Sequence, residues 1–191
     1  MNLGFALFHT SIGPCAIAWG ERGLTGVQLP EASEAQTRAR MQRRFPGYFE
    51  RVPPSSVQET IRDLVALLCG EPNHPVNLSN IVLDMHGVPP FHQRVYALAR
   101  GITPGETLSY GEIARQLGNP GLARAVGQAL GHNPFAPVVP CHRVLAAGGR
   151  SGGFSANGGV DTKLRLLKIE RARINGPGLF DAPAAAPTGQ G

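Results

Sequence analysis

Cysteine is scarce in this chain: Cys15, Cys69 and Cys141 are the only three in 191 residues. An odd number without CxxC spacing argues against a disulfide framework and against a four-cysteine zinc site. No run of eighteen apolar residues occurs, so no membrane-spanning helix is expected. The N-terminus (Met1, Asn2, Leu3, Gly4, Phe5) carries no basic leader and no signal-peptide pattern, which makes the cytoplasm the expected compartment. Internal repeats are absent as well. Charged residues make up 16% of the chain against 42% hydrophobic, a balance that excludes a disordered protein and supports one ordinary domain or two small ones with a real core.

The net charge of +5 is unevenly placed. Residues 1–83 hold seven Arg and seven Asp/Glu, whereas residues 84–191 hold eleven Lys/Arg against six Asp/Glu. The excess gathers around Cys141. Such a distribution suits a polyanionic substrate, of which nucleic acid is the commonest, and it equally suits a solvated basic surface.

Hydrophobic patterning divides the chain. Residues 3–8, 15–19 and 24–29 read as short strands joined by Gly/Pro/Ser turns. Residues 34–44 read as a polar helix. Residues 55–68 read as an amphipathic one, with Ile61, Leu64, Val65, Leu67 and Leu68 on one face and Ser55 or Ser56 as its cap. Residues 76–83 read as one more strand. Beyond them the pattern turns helical: 91–99, then 110–117 with Ser109 and Glu112 forming a capping box, then 122–130 after the turn Gly118-Asn119-Pro120-Gly121. Two short helices around a Gly-containing turn make a helix-turn-helix candidate. A last helix is expected over 161–173. From Gly176 the Gly/Pro/Ala-rich composition predicts a flexible tail. The expected division is an α/β domain over 1–83, a second domain over 84–175 and a tail over 176–191.

The chemistry concentrates in Pro140-Cys141-His142-Arg143-Val144. A thiol reacts as its thiolate, and a nearby base or positive charge promotes that form, while apolar packing opposes it. Cys15 and Cys69 lie in or beside apolar segments with no neighbouring base and read as structural. Cys141 has His142 and Arg143 beside it, and Glu170 is placed to orient the imidazole. These residues alone fit a thiol hydrolase as well as any other Cys-His chemistry.

Further residues narrow the reading. The order Phe91, Thr107-Leu108-Ser109-Tyr110-Gly111-Glu112-Ile113-Ala114, Arg124-Ala125-Val126-Gly127, Asn133-Pro134, Pro140-Cys141-His142-Arg143-Val144 resembles the O6-alkylguanine-DNA alkyltransferases over roughly residues 88–170. The resemblance implies an α+β fold: a small N-terminal α/β domain with a short antiparallel sheet, ribonuclease-H-like, followed by a mostly helical domain with a helix-turn-helix. It implies double-stranded DNA containing O6-alkylguanine as partner, no obligate protein partner, and no cofactor. It implies that Cys141 takes the alkyl group irreversibly, once per molecule, from a flipped-out base; O4-alkylthymine stays open. His142 and Glu170 would relay the thiol proton through a water, Tyr110 would donate a proton to the leaving guanine, and Asn133 would brace the turn before Cys141. Arg124 would fill the gap in the base stack, with Ala123, Ala125, Gly127 and Tyr110 against DNA.

Val144, Ser155, Ala136 and Leu130 are expected to shape the substrate pocket. The chain departs from the better-known members in a longer loop over 152–159, with Phe154 at a position usually held by Tyr. His9 and Cys15 do not reproduce the zinc-ligand spacing of vertebrate members, so no metal is expected. A relative lacking the cysteine would be a binding module instead, and Cys141 argues against that reading.

Overall fold

The protein is described by a computed structural model covering residues 3–70, 76 and 78–172. It opens with β1 (Gly4–Thr10), β2 (Gly13–Gly20) and β3 (Gly23–Gln28), an antiparallel meander. The β1–β2 hairpin pairs Gly4 with Trp19 at one end and Thr10 with Gly13 at the other. At Gly13 φ is +127°, which glycine adopts without the cost a side chain would bring. Helix α1 (Glu34–Arg44) follows, capped by Ser33, whose hydroxyl accepts from Gln36 N. The expectation for 34–44 holds: the helix is polar because it buries only Thr37 and Met41, the latter against Phe5, Ala16 and Ala18.

The sheet gains a strand that the sequence pattern did not reveal. β4 (Phe49–Glu50) pairs parallel with β1, giving the order β3-β2-β1-β4, so the sheet is mixed and not purely antiparallel. Two residues, both exposed, leave no hydrophobic period to detect. Helix α2 (Ser55–Cys69) lies where its apolar face predicts and ends at Gly70, whose φ of +68° forms the left-handed cap. Its N-cap is Pro54, without a side-chain hydrogen bond, in place of the expected serine.

The strand expected over 76–83 does not form among the described residues. Leu78–Asn80 is a 3-10 turn, and pairing is confined to a bridge between Leu24 and Leu83. The cause is Arg100, whose Nη2 reaches the carbonyl oxygens of Leu78 (2.9 Å) and Ile81 (2.8 Å). A cation gathering successive carbonyls holds a turn, not an extended ladder.

The second half carries α3 (Pro90–Arg100), β5 (Leu108–Ser109), α4 (Tyr110–Gln116), α5 (Ala123–Gly131), β6 (Val144–Leu145) and α6 (Val160–Ile169). The capping box is present: Ser109 Oγ accepts from Glu112 N, and the Glu112 carboxylate accepts from Ser109 N at 2.6 Å. A 3-10 turn (Pro120–Leu122) leads into α5, so that helix starts at Ala123. α6 stops at Ile169 and leaves Glu170 as its C-cap, short of the expected 173. The tail expected over 176–191 lies outside the described residues.

One buried cluster runs through both halves, joining Phe8, Cys15, Ile17 and Trp19 to Leu64, Tyr96, Phe135, Cys141 and Leu166. The sheet's inner face therefore packs against the region that holds the thiol. The architecture is mixed α/β. No helix among the described residues is long and apolar enough to cross a membrane.

Candidate active site

Cys141 begins a 3-10 turn, Cys141–Arg143, at the end of an apolar wall. Its N–H donates to Val139 O at 2.8 Å, and Arg143 N closes the turn on Pro140 O at 2.9 Å. Immediately afterwards the chain enters β6, which pairs parallel with β5: Leu108 faces Val144 and Ser109 faces Leu145. Two residues per strand suffice to place Tyr110, the first residue of α4, beside the turn that carries the thiol. This pairing escapes sequence patterning because each strand is too short for any period.

Behind the thiol lies a closed ionic group. His142 is fully buried, and its Nε2 is 2.9 Å from Glu170 Oε1. Arg143 donates from Nε to Glu170 Oε2 and from Nη2 to Oε1, both at 2.8 Å, and from Nη1 to Ile102 O. Burial alone would raise the Glu170 pKa, but His142 and, after it, Arg143 outweigh burial and hold it at about 2, so the carboxylate stays ionised. His142 shifts down from 6.5, because burial disfavours its cation more than Glu170 favours it. The ring is thus a neutral base steered by a carboxylate. Its Nδ1 is buried without a protein partner among the described residues.

The thiol feels opposing influences. Burial raises its pKa, and the nearby Asn133 amide and the charge of Lys163 pull it back. Asn133 sits just beyond α5. Its Nδ2 donates to Val139 O at 2.8 Å and its Oδ1 accepts from Phe135 N at 2.9 Å, so one side chain ties both ends of the segment leading to Cys141. Lys163 is a functional candidate that sequence reasoning missed. It is fully buried on α6, donates from Nζ to Val144 O at 2.6 Å, and stands 5.8 Å from the centre of the Tyr110 ring. Burial lowers its pKa to about 8, against the pull of Cys141. An inward lysine within the apolar period of 160–169 was the available signal.

The thiol opens on a cleft of about 550 Å3. Tyr110, Ala123, Arg124, Gly127, Leu130, Cys141 and Ser155 line it. Ala125, Ala136 and Val144 do not. Ala125 lies elsewhere on α5, Ala136 belongs to the turn after Asn133, and the Val144 side chain is wholly in the core. Gln128, Gly131, Gly153 and Phe154 join the lining. Arg124 is exposed on the first turn of α5. A larger cleft, about 880 Å3, borders Thr103, Pro104 and Arg171 and contains neither the thiol nor the imidazole. Among the described residues no group of three His, Cys, Asp or Glu could hold a metal.

The chain as a whole is similar to known proteins. The family model described as 6-O-methylguanine DNA methyltransferase, DNA binding domain, matches residues 90–172. The methylated-DNA–protein-cysteine methyltransferase of Mycolicibacterium paratuberculosis is 47% identical over 160 residues, which cover 84% of this chain and 87% of that protein. The Mycobacterium tuberculosis protein of the same name is 38% identical over 169 residues, covering 88% and 93%. The chain belongs to the methylated-DNA–protein-cysteine methyltransferase family. A crystal structure of Mycobacterium tuberculosis OGT in complex with DNA superposes with a TM-score of 0.68 at 35% identity, covering 88% of this chain and 92% of that one. The methyltransferase from the archaeon Pyrococcus kodakaraensis gives 0.66 at 25% identity, covering 87% and 98%. Both solved relatives span the meander as well as the thiol-bearing half, so the likeness to this methyltransferase family extends well beyond the motif around Cys141.

Proposed function

We propose that this protein repairs alkylated double-stranded DNA by moving the alkyl group from O6-alkylguanine onto its own Cys141, once per molecule. The observation that carries the reading is the cleft itself. Its thiol is backed by the His142–Glu170 pair, flanked by Tyr110, and rimmed by Arg124 on a helix of small residues.

The geometry supports the following chemistry. A water between His142 Nδ1 and Cys141 Sγ would satisfy a buried nitrogen and carry the thiol proton to the neutral imidazole. The thiolate attacks the alkyl carbon in line. A sulfur–carbon bond forms, the carbon–oxygen bond breaks, and its electron pair remains on guanine O6. Tyr110 donates its phenolic proton to guanine N3 as charge develops there. The thioether product resists hydrolysis, so the protein is consumed. O4-alkylthymine presents the same kind of oxygen–alkyl bond.

Guanine O6 inside a duplex is closed to in-line attack, so the base must be extruded at a cost of roughly a few kcal/mol. We read α4, the turn through Pro120–Leu122 and α5 as a helix-turn-helix, with the small residues Ala123, Ala125 and Gly127 permitting close approach to the minor groove. Arg124 then occupies the gap left in the stack. The order β3-β2-β1-β4 is what a ribonuclease-H-like N-terminal unit over 1–83 would show, with 84–175 carrying DNA binding and transfer.

Intact mass after incubation with a duplex containing O6-methylguanine tests the reading. One added methyl on Cys141 with no further turnover is expected. Unmodified protein in a tight complex would identify a binding module, and repeated release of product from a simple ester would identify a hydrolase.

A further inference from the structure

The turn carrying Asn133 is held from outside its own half of the chain. Pro134 O accepts from Val27 N at 2.9 Å and from Arg44 Nη2 at 3.3 Å. Both of its lone-pair directions are therefore used by the N-terminal half. Arg44 also donates from Nη1 to Val27 O at 3.1 Å and to Gln28 Oε1 at 2.8 Å. Gln28, itself buried, passes its amide on to Glu31 Oε1 at 3.0 Å. The contact is close: a Cβ on Gly26 would stand 3.1 Å from Pro134 O and 2.5 Å from the Phe45 ring.

Arg44 is an unusual residue for such a place. Its guanidinium is partly buried, faces three neutral carbonyl oxygens and forms no ion pair among the described residues. Burial, with Arg40 nearby, lowers its pKa. A desolvated cation without a carboxylate is a poor source of stability, since an apolar residue of similar volume would avoid the desolvation cost. What the planar fork supplies is direction: two donors fix the Val27 and Pro134 carbonyls relative to one another. One peptide away, Asn133 grips Val139 O and Phe135 N, and the same Val139 oxygen accepts from Cys141 N at 2.8 Å.

We propose that Arg44 is a positioning residue for Cys141: by fixing the Pro134 carbonyl it holds the Asn133 side chain on the Val139 carbonyl that anchors Cys141, so the N-terminal half sets the reactivity of the C-terminal half. The inference rests on Cys141 being the alkyl acceptor, and its test separates the two.

The test measures two rates in the full chain. One is alkyl transfer from free O6-benzylguanine, which needs no DNA; the other is iodoacetamide labelling of Cys141 as a function of pH, read by mass. The variants are Arg44→Met, Asn133→Ala, the two together, and Arg44→Lys. Arg44→Met is expected to slow transfer by about ten- to a hundredfold, the scale of a misplaced reacting group, and to move the labelling profile to higher pH. The double variant should be no slower than Asn133→Ala alone, because both act on one contact. Arg44→Lys, with a single donor centre, should restore part of the rate. Val57→Ala, which loosens the same half without touching Pro134, should lower the melting temperature and leave both rates unchanged. If Arg44→Met does not fold, Arg44→Gln, which keeps a neutral donor, reads the same coupling. A wild-type rate in the Arg44 variant beside a slow Asn133→Ala overturns the inference, and so do losses that multiply in the double variant. If the wild type labels with iodoacetamide yet never accepts benzyl, the alkyl-transfer reading fails while the labelling profiles still decide the role of Arg44.

Discussion

Lys163 Nζ stands 5.8 Å from the centre of the Tyr110 ring while donating to the Val144 carbonyl at 2.6 Å. Its charge lowers the pKa of Cys141 from the level that burial would set. Below its own pKa of about 8 Lys163 is a cation facing the thiol, and above that value the charge and its help disappear. The pH profile of Cys141 alkylation should therefore bend near 8. In Lys163→Met the bend should vanish, labelling should shift to higher pH, and the rate near neutrality should fall about tenfold, the equivalent of one pKa unit. Iodoacetamide labelling followed by mass measures all three.

Stability should respond to acid through the group behind the thiol. His142 has its pKa lowered from 6.5 in the folded chain, chiefly by burial, so below that value the unfolded chain binds more protons than the folded one. Its contribution is whole above 6.5 and erodes as the pH falls. Glu170, lowered from 4.5 to about 2, erodes in the same direction within that lower window. Urea midpoints should drop steadily from about pH 7 to 4. Glu170→Gln, which strips a buried carboxylate from two cationic or basic partners, should cost roughly 3–5 kcal/mol near neutral pH and flatten the acid limb below pH 4.5. An unchanged acid limb in that variant would remove Glu170 from the account.

Gly152 couples the longer loop to the site. Its φ is +62°, and a Cβ there would lie 3.0 Å from the Tyr110 hydroxyl. Gly152→Ala should cost about 1–2 kcal/mol for the left-handed backbone and displace the phenol as well. Transfer from O6-benzylguanine should slow more than iodoacetamide labelling if Tyr110 is the proton donor proposed above, because only the former would draw on that proton.

Legibility in the sequence followed element length. The hairpins and α1, α2 and α4 were readable because each spans enough residues to show a period or a cap; Ser109 and Glu112 mark the start of α4 without ambiguity. The two-residue strands β4, β5 and β6 were not, although β5–β6 is what brings Tyr110 to Cys141. Cys141, His142 and Glu170 were legible through chemistry and resemblance. Arg44 was not, because its partners are backbone oxygens distant in sequence, and a carbonyl leaves no residue type to read. Residues 76–83 misled for a related reason: Arg100 gathers their carbonyls across the fold and overrides a local β pattern.

Arg124 separates DNA handling from chemistry. It is exposed at the rim of the cleft on the first turn of α5 and is no part of the His142–Glu170 pair or of the Asn133–Val139 hydrogen bond. If it replaces the extruded base in the stack, its loss withdraws the interaction that offsets roughly a few kcal/mol of unstacking. Free O6-benzylguanine involves no extrusion, so its reaction with Arg124→Ala should stay within about twofold of wild type, as for a surface substitution away from the reacting groups. Repair of O6-methylguanine in a duplex should fall by about a hundredfold, corresponding to two steps of 1.4 kcal/mol. Raising the protein concentration until the duplex is saturated distinguishes the two ways this could arise. A lost phosphate contact would be recovered at saturation, whereas a lost stacking partner leaves the single-turnover rate low, because the bound base still returns to the helix.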